Sequence, residues 1–304
     1  EAVDNTQFPI VTGALLSKKV LDAYNLATKV GDQLCSNMPS NKQIDRVPRL
    51  NLTGNLAAVK AGMNYNHSAD IEEQYVSIGG QKYGEILDIT EEAIMFDQTN
   101  TLLRVAASIG EDAAMFREEM ILKTVLDLTS YKAWYPANSQ VDLYSTDTTA
   151  PHTYSNLITN ALADHTDVNA AVLTFVPMRN SRNRPVNCVP KTLLIPQALL
   201  MLAGTIMKTP VQVGTYNNTP NPFHNAFNIV TSPYLDNESS IIWFLGDFVK
   251  QFVWKEVIPL QILRRGQDSE EGWARDLAAS FKVRFYGTAA ALDYMYVVKS
   301  TGAA

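Results

Sequence analysis

The chain has 304 residues, 46% of them hydrophobic and 18% charged, which is ample for one large core or two domains and unlike a disordered or fibrous composition. A formal net charge of −6 and a pI near 5.3 argue against a general tight grip on nucleic acid, which needs a basic surface, though not against lying beside DNA. Cys35 and Cys188 are too few and too far apart for a disulfide framework or a zinc spacing, and the most apolar run, Leu193 to Gly204, is broken by Pro196 and Gln197 before it nears the ~18 residues of a membrane span.

The sequence starts at Glu1, which points to a processed end or a trimmed chain, and carries no export-signal pattern. The N-x-S/T triplets at Asn51, Asn66, Asn217 and Asn237 are therefore expected to be chance. Residues 14 to 35 are predicted to form one amphipathic helix with Leu15, Leu16, Val20, Tyr24, Ala27 and Leu34 on its apolar side. From Ser36 to Ala69 neither period holds; Pro39, Pro48, Gly54 and Gly62 punctuate a stretch rich in Asn and Ser. That exceeds the ~12–15 residues above which loops in compact domains are uncommon and usually functional. Gln74–Ile78 and Tyr83–Ile89 are predicted strands about Gly79-Gly80, a hairpin signal. An arm followed by an extended two-stranded projection cannot bury itself and needs a neighbour.

Asp97 to Leu128 is predicted as one long helix, with Asp97 as N-cap and apolar residues at Leu102, Val105, Ile109, Ala113, Phe116 and Met120. Glu119 stands four before Lys123, the favourable order for a helix ion pair. At 1.5 Å per residue such a helix is roughly 45–50 Å long, more suited to a beam across a plate than to packing inside a sphere. Gly110 costs about 1 kcal/mol there against Ala and marks a place where the helix can bend.

Beyond it, Ala133–Tyr144 is strand-like, Ser145–Ser155 a polar connection, and Asn156–Ala163 and Val168–Met178 short helices. Thr192–Ile195 is a buried strand entering a helix from Pro196 to Met207, with Pro in the tolerant first turn. Thr209–Asn225 is a second irregular loop. The remainder is mostly β: Phe227–Thr231, Ile241–Leu245, Phe252–Ile258, Phe281–Tyr286 and Ala290–Val298. The fold class is thus α+β, with no internal repeat.

Catalytic motifs are missing from the sequence: it has no phosphate-binding G-x-x-x-x-G-K-[ST], no G-x-G-x-x-G after a strand, no G-x-S-x-G, no H-E-x-x-H and no paired C-x-x-C. His67, His152, His165 and His224 fall in loop-like segments and are expected to be polar loop residues. The pairs Glu72-Glu73, Glu91-Glu92, Glu111-Asp112, Glu118-Glu119 and Glu270-Glu271 imitate glycosidase carboxylates, but helix neighbours point about 100° apart, so solvated faces are expected. Arg179, Arg182 and Arg184 form a basic loop, read as a solvated turn ahead of a phosphate or acidic-patch contact; Arg264-Arg265 is read likewise. No catalytic, cofactor-binding or metal-ligating residue is assigned.

Pro190-Lys191-Thr192-Leu193-Leu194-Ile195-Pro196 resembles the P-x-x-L-[LV]-V-P segment of tailed-bacteriophage major capsid proteins, nearest the Mu-like major head subunits and capsid proteins fused to a prohead protease. Asn221-Pro222 and then Phe227 to Leu235 are similar to that family's next landmark, and Trp243-Phe244-Leu245 falls where its W-y-L strand falls. Phe285-Tyr286-Gly287 through Ala291-Leu292-Asp293-Tyr294 resembles its terminal motif, and Ile89 to Asp97 the entry to its spine helix. The similarity covers roughly residues 72 to 300, with Gln197 standing where the family has a second Pro.

The resemblance implies the HK97 capsid fold: an N-terminal arm over 1–45, an E-loop region over 46–90 lying on a neighbour, a P-domain over 91–150 with its spine helix at 97–128, an A-domain over 151–255 with an axial loop near 209–225, and return strands over 256–304. It also implies self-assembly into hexamers and pentamers of a virion shell. Partners would be scaffold, portal and decoration proteins and packaged double-stranded DNA held without sequence-specific contacts; no membrane and no cofactor are implied. N-terminal trimming in the family would account for Glu1. One relative crosslinks a loop Lys to a neighbour's Asn; Lys60 and Lys82 lie in the matching region, but no motif identifies the partners of that chemistry, and it is not carried over. The competing expectations are an encapsulin-like shell around protein and, from another class, a soluble α/β hydrolytic enzyme with convergent carboxylates.

Overall fold

A computed structural model describes residues 8–27, 29–52, 59, 62, 71–90, 92, 101–128, 142–149, 152–180, 184–211, 219–266, 269, 274 and 277–303. The N-terminal helix expected over 14–35 is two helices, α1 (Phe8–Leu26) and α2 (Gly31–Leu34). The break has a cause: the Val30 amide, instead of continuing a helix, donates to Glu118 Oε2 at 3.3 Å, and Gly31 is pressed against Ile121, where a β-carbon would stand 2.9 Å from Cδ1.

The beam of the fold is α3 (Thr101–Leu126), with the expected residues 97–100 outside the described ones. It stops at Asp127, whose φ of 53° no helix continues. Lys299 Nζ donates to the terminal Leu126 carbonyl at 3.1 Å, a cation at the negative helix end. The expected apolar stripe is only part of the packed face. Met120 is buried, Ile109 packs on the α1–sheet core and Phe116 sets its ring against Tyr83 and Phe285, though Val105 and Phe116 remain 36% and 39% exposed; Ala106, Gly110, Ala114, Ile121 and Val125 form the most buried seam. Small residues fill that seam because α1 runs against it: a β-carbon on Gly110 would stand 2.3 Å from the Val20 carbonyl oxygen. The helix runs unbroken through Gly110. Glu119 pairs with Lys123 at 2.7 Å, as the spacing requires.

Two strands occupy the stretch that has no clear period in sequence, β1 (Ser36–Pro39) and β2 (Ile44–Leu52). β3 (Ile71–Gly79) and β4 (Gln81–Thr90) appear as expected, but they do not form a hairpin. β3 pairs antiparallel with β2, from Ile44↔Gly79 to Leu52↔Ile71, while β4 pairs with the distant β10 (Leu277–Ala291). Gly80 alone separates them, too little for a reversal; the chain steps there from a two-stranded ribbon into a sheet. That sheet has the order β1-β9-β10-β4, where β9 is Phe252–Gly266. β9 and β10 each run far beyond the expected 252–258 and 281–286. α1 and α3 cover one face of it, with Leu16, Val20 and Ala106 packed on Ile89, Phe281 and Val283.

A second, five-stranded sheet has the order β5-β11-β8-β6-β7, made of β5 (Leu157–Ile158), β6 (Thr192–Ile195), β7 (Asn228–Thr231), β8 (Trp243–Gly246) and β11 (Val297–Ser300). β6, β7 and β8 match expectation closely. The strand expected over 290–298 is divided between the end of β10 and β11, and the helix expected over 156–163 is β5 and a connection. α4 (His165–Leu173) starts on a capping box in which Asp164 and Asp167 bond each other's backbone amides. Pro196 precedes a 3-10 turn (Gln197–Leu199) that leads into α5 (Leu200–Lys208); α6 is Pro233–Glu238 and α7 Phe248–Gln251. The strand-like Ala133–Tyr144 lies mostly outside the described residues, and 142–144 are not in a strand.

The inner strands of this sheet are apolar throughout because both faces are covered. Leu193, Ile195, Trp243 and Leu245 meet Val168, Ala203 and Ile206 on the α4–α5 side. Leu194, Phe244 and Val298 face the main core with Ile121, Val125 and Trp254, so α3 ties the two sheets together.

Candidate assembly surfaces

The β2–β3 ribbon is held at its root by one side chain. Lys255, fully buried on β9, donates from Nζ to the carbonyls of Gln43 and Ile78, both at 3.1 Å, and pairs with Asp45 Oδ2 at 2.9 Å. All three partners belong to the feet of the ribbon, so a single ammonium sets where the ribbon leaves the body. The Ser40 hydroxyl and then the Lys255 ammonium hold the Asp45 carboxyl below its usual range. Near the root Val76 and Ile78 are buried in the main core. Nothing in the sequence marks Lys255: it reads as one alternating charge in a β segment, and only its missing solvent distinguishes it.

Each family-like segment has a structural task. Asn221, buried behind α5, donates from Nδ2 to the carbonyls of Ile206 and Thr209 at 2.5 and 3.1 Å and accepts from the Phe223 amide, closing the base of the 209–225 loop. Residues 212–218 of that loop lie outside the described ones. Ser232 caps α6, whose Pro233 sits in the first turn, and Asp236 then reaches across to accept from the amides of Gln197 and Ala198 at 2.7 and 3.1 Å. Gln197, where the family has Pro, thus uses an amide that Pro lacks. Tyr294 is buried with its hydroxyl bonded to Thr153, and Asn156, fully buried, donates to the carbonyls of Leu143 and Tyr294. Asp236 and Asn156 are missed by motif reading because their partners are backbone groups far away in sequence.

Chemistry-bearing residues are scattered. His152 is not a loop residue in water: it is buried edge-on to Tyr294 with Nε2 donating to the Asp142 carbonyl at 2.7 Å, and burial lowers its pKa. His224 is exposed, His165 starts α4 and His67 lies outside the described residues. Glu118 departs from the solvated-face reading too, being buried where α3 meets Val30, with burial raising its pKa; Glu111 and Asp112 are exposed. Glu91, Glu270 and Glu271 lie outside the described residues, as do the side chains of Glu72 and Glu73. Arg179 bonds carbonyls of its own turn while Arg182 is not described. Lys82 is exposed on β4 and Lys60 is outside the described residues. Cys35 and Cys188 are free thiols, pushed by burial to about 12 and about 11. Among the described residues no group of His, Cys, Asp and Glu is arranged to hold a metal, and no helix is long and apolar enough to cross a membrane.

What the molecule offers instead is surface. Exposed apolar side chains recur on every part, among them Leu15 and Leu26 on α1, Ile86 on β4, Met201 on α5 and Leu263 on β9.

A family model described as phage capsid protein matches residues 76–300. The capsid of cyanophage P-SCSP1u is similar at 10% identity and a TM-score of 0.60, over 90% of this chain and 88% of that one. The mature capsid of bacteriophage PhiM1 is similar at 12% identity and 0.54, over 90% and 87%. A virus-like particle from Pyrococcus furiosus is similar at 9% identity and 0.52, over 94% and 98%. No curated protein matches the sequence. At such identities the likeness to solved structures establishes the fold.

Proposed function

The chain belongs to the phage capsid protein family and has the HK97-like fold of a major capsid protein, and we propose that its copies close into hexamers and pentamers of an icosahedral shell around double-stranded DNA. The observation that carries this reading is the match of the phage capsid protein model over residues 76–300 in a chain with the HK97-like fold. The role is structural: copies complete one another, and no step of bond chemistry is needed. Residues 1–45 act as the arm, 46–90 as the loop laid on a neighbour, and 91–150 as the P-domain around α3. Residues 151–255 are the A-domain, whose 209–225 loop faces the capsomer axis, and 256–304 return to the P-domain. A two-stranded ribbon without a sheet of its own supports the second of these assignments. Scaffold, portal and decoration proteins are the further partners, with assembly in the host cytoplasm.

The likeness to a virus-like particle over nearly the full length of both chains favours a second reading, a shell of the same fold around protein. Size-exclusion chromatography followed by negative-stain microscopy tests the assembly. Discrete closed particles tens of nanometres across are expected, and a homogeneous small oligomer at all concentrations rules the shell out. Nuclease-protected DNA in particles from the native source then separates a genome container from a protein container.

A further inference from the structure

α1 and α3 cover one face of the four-stranded sheet, where they take Phe281 and Val283 of β10, so the alternate residues Lys282 and Arg284 stand on the other face. The register sets two rungs there: Ile86, Lys282 and Leu263, and beside it Gly84, Arg284 and Gln261. Both fall in regular pairing, before the shifts that begin beyond Arg284. Lys82, opposite Tyr286, follows along β4. Ile86 is 60% and Leu263 43% exposed, so no described element lies over the middle of this face.

A sheet with one wet face normally turns polar residues to the water. One exposed aliphatic there would mean nothing. Two of them flanking a lysine on one rung make a patch, apolar at its ends and cationic at its middle. The charges are unbalanced as well. Lys282 and Arg284, two residues apart on one strand, stand about 7 Å from each other, and like charges that close are kept at a cost unless something answers them. Among the described residues no carboxylate pairs with Lys82, Lys282 or Arg284; Arg284 donates to the Gln261 side-chain oxygen at 3.1 Å, a neutral partner. Asp88 on the same face is taken by the Ser280 hydroxyl at 2.6 Å, and Arg265 has a partner of its own. On a chain of net charge −6 this face has the reverse sign.

Both features fit one kind of occupant. Carboxylates answer the cations, and aliphatic side chains between them cover Ile86 and Leu263. Nucleic acid meets the first requirement alone. Its phosphates offer no apolar cover, and the Tyr286 ring lies against Gly80, where a β-carbon would stand 2.9 Å from it, instead of being open to stack a base.

We propose that the open face of this sheet, around Ile86, Lys282, Leu263 and Arg284, docks an acidic amphipathic segment of a partner protein carried by the shell. The proposal goes beyond the shell reading and uses it only to place the partner on particles.

A short helical peptide of Glu and Leu with one apolar side is the probe, and the same peptide with Lys for Glu is the control. Anisotropy titrations at low salt are expected to show the Glu peptide bound to free subunits and to particles, and Lys282→Glu to weaken it at least about tenfold. Leu263→Ser, which leaves every charge in place, is expected to weaken it too, by a smaller factor. A loss confined to Lys282→Glu, with a DNA duplex bound at the same residues, makes the face a general polyanion site and overturns the proposal. Equal binding of the Lys peptide also overturns it. So does protection of Lys82 and Lys282 from acylation in closed particles, which shows that another copy already covers the face. Closed particles that fail to bind the Glu peptide overturn the docking and leave the shell standing; binding by a chain that never closes into particles does the reverse.

Discussion

Gly110 shows how much a single β-carbon decides. Helix propensity alone says that Gly110→Ala should stabilise α3 by about 1 kcal/mol. The added carbon, however, would meet the Val20 carbonyl oxygen at 2.3 Å and Ala23 Cβ at 3.0 Å, and a helix backbone does not yield as a side chain tip does. Overpacking of this kind costs about 1–3 kcal/mol, so the substitution is expected to lower Tm; a raised Tm in thermal unfolding would contradict the close crossing of α1 and α3. His152 makes a second residue-level case. Burial holds its folded pKa below the unfolded value, so the folded chain keeps it neutral while the unfolded chain takes up a proton below about pH 6.5. The stability it contributes is complete above that pH and is lost as the pH falls further. Between pH 7.5 and 5, Tm of His152→Gln is therefore expected to fall less than that of the parent chain, and identical slopes would show that the ring titrates freely.

At the level of elements, the ribbon depends on Lys255. Replacing it with Met takes the donor away from two carbonyls at the ribbon root and from Asp45, and an acceptor left unmet in a buried place costs about 1–3 kcal/mol. Faster amide exchange in 44–52 and 71–79 is expected in Lys255→Met, with little change in β6 or β8. Uniform acceleration across the chain would mean that Lys255 supports the whole core and not the ribbon in particular. The contrast also explains which elements were legible in advance. β6 and β8, apolar on both faces, could be nothing but buried strands. The ribbon was misread because period-two alternation locates a strand without naming its partner: β4 pairs across nearly two hundred residues with β10, and Gly79-Gly80 imitated a turn. Half of the packed face of α3 escaped notice for a related reason, since Ala106, Gly110 and Ala114 carry little hydrophobicity yet mark the closest helix approach.

For the whole molecule, the sequence already implied that an arm and a ribbon cannot be self-sufficient, but not which surfaces complete them. Motifs such as Asn221-Pro222 and Ser232-Pro233 turn out to be internal staples, bonded to their own chain, and say nothing about contacts between chains. Contacts between copies depend on exposed side chains whose partners lie on another molecule, so no spacing within one chain encodes them. The thermodynamic consequence is measurable. A subunit whose two-stranded ribbon needs a neighbour gains stability from association, and mass action then makes that stability depend on concentration. Free subunits below the assembly threshold are expected to melt at a lower temperature than particles, independently of concentration, and to bind an apolar dye at sites such as Leu26 and Met201. Where particles and subunits exchange, the Tm of the assembled form should rise with total protein concentration. Equal Tm values for free and assembled chains would mean that association adds nothing to the subunit's stability, and the fold would then have to be completed by its own arm.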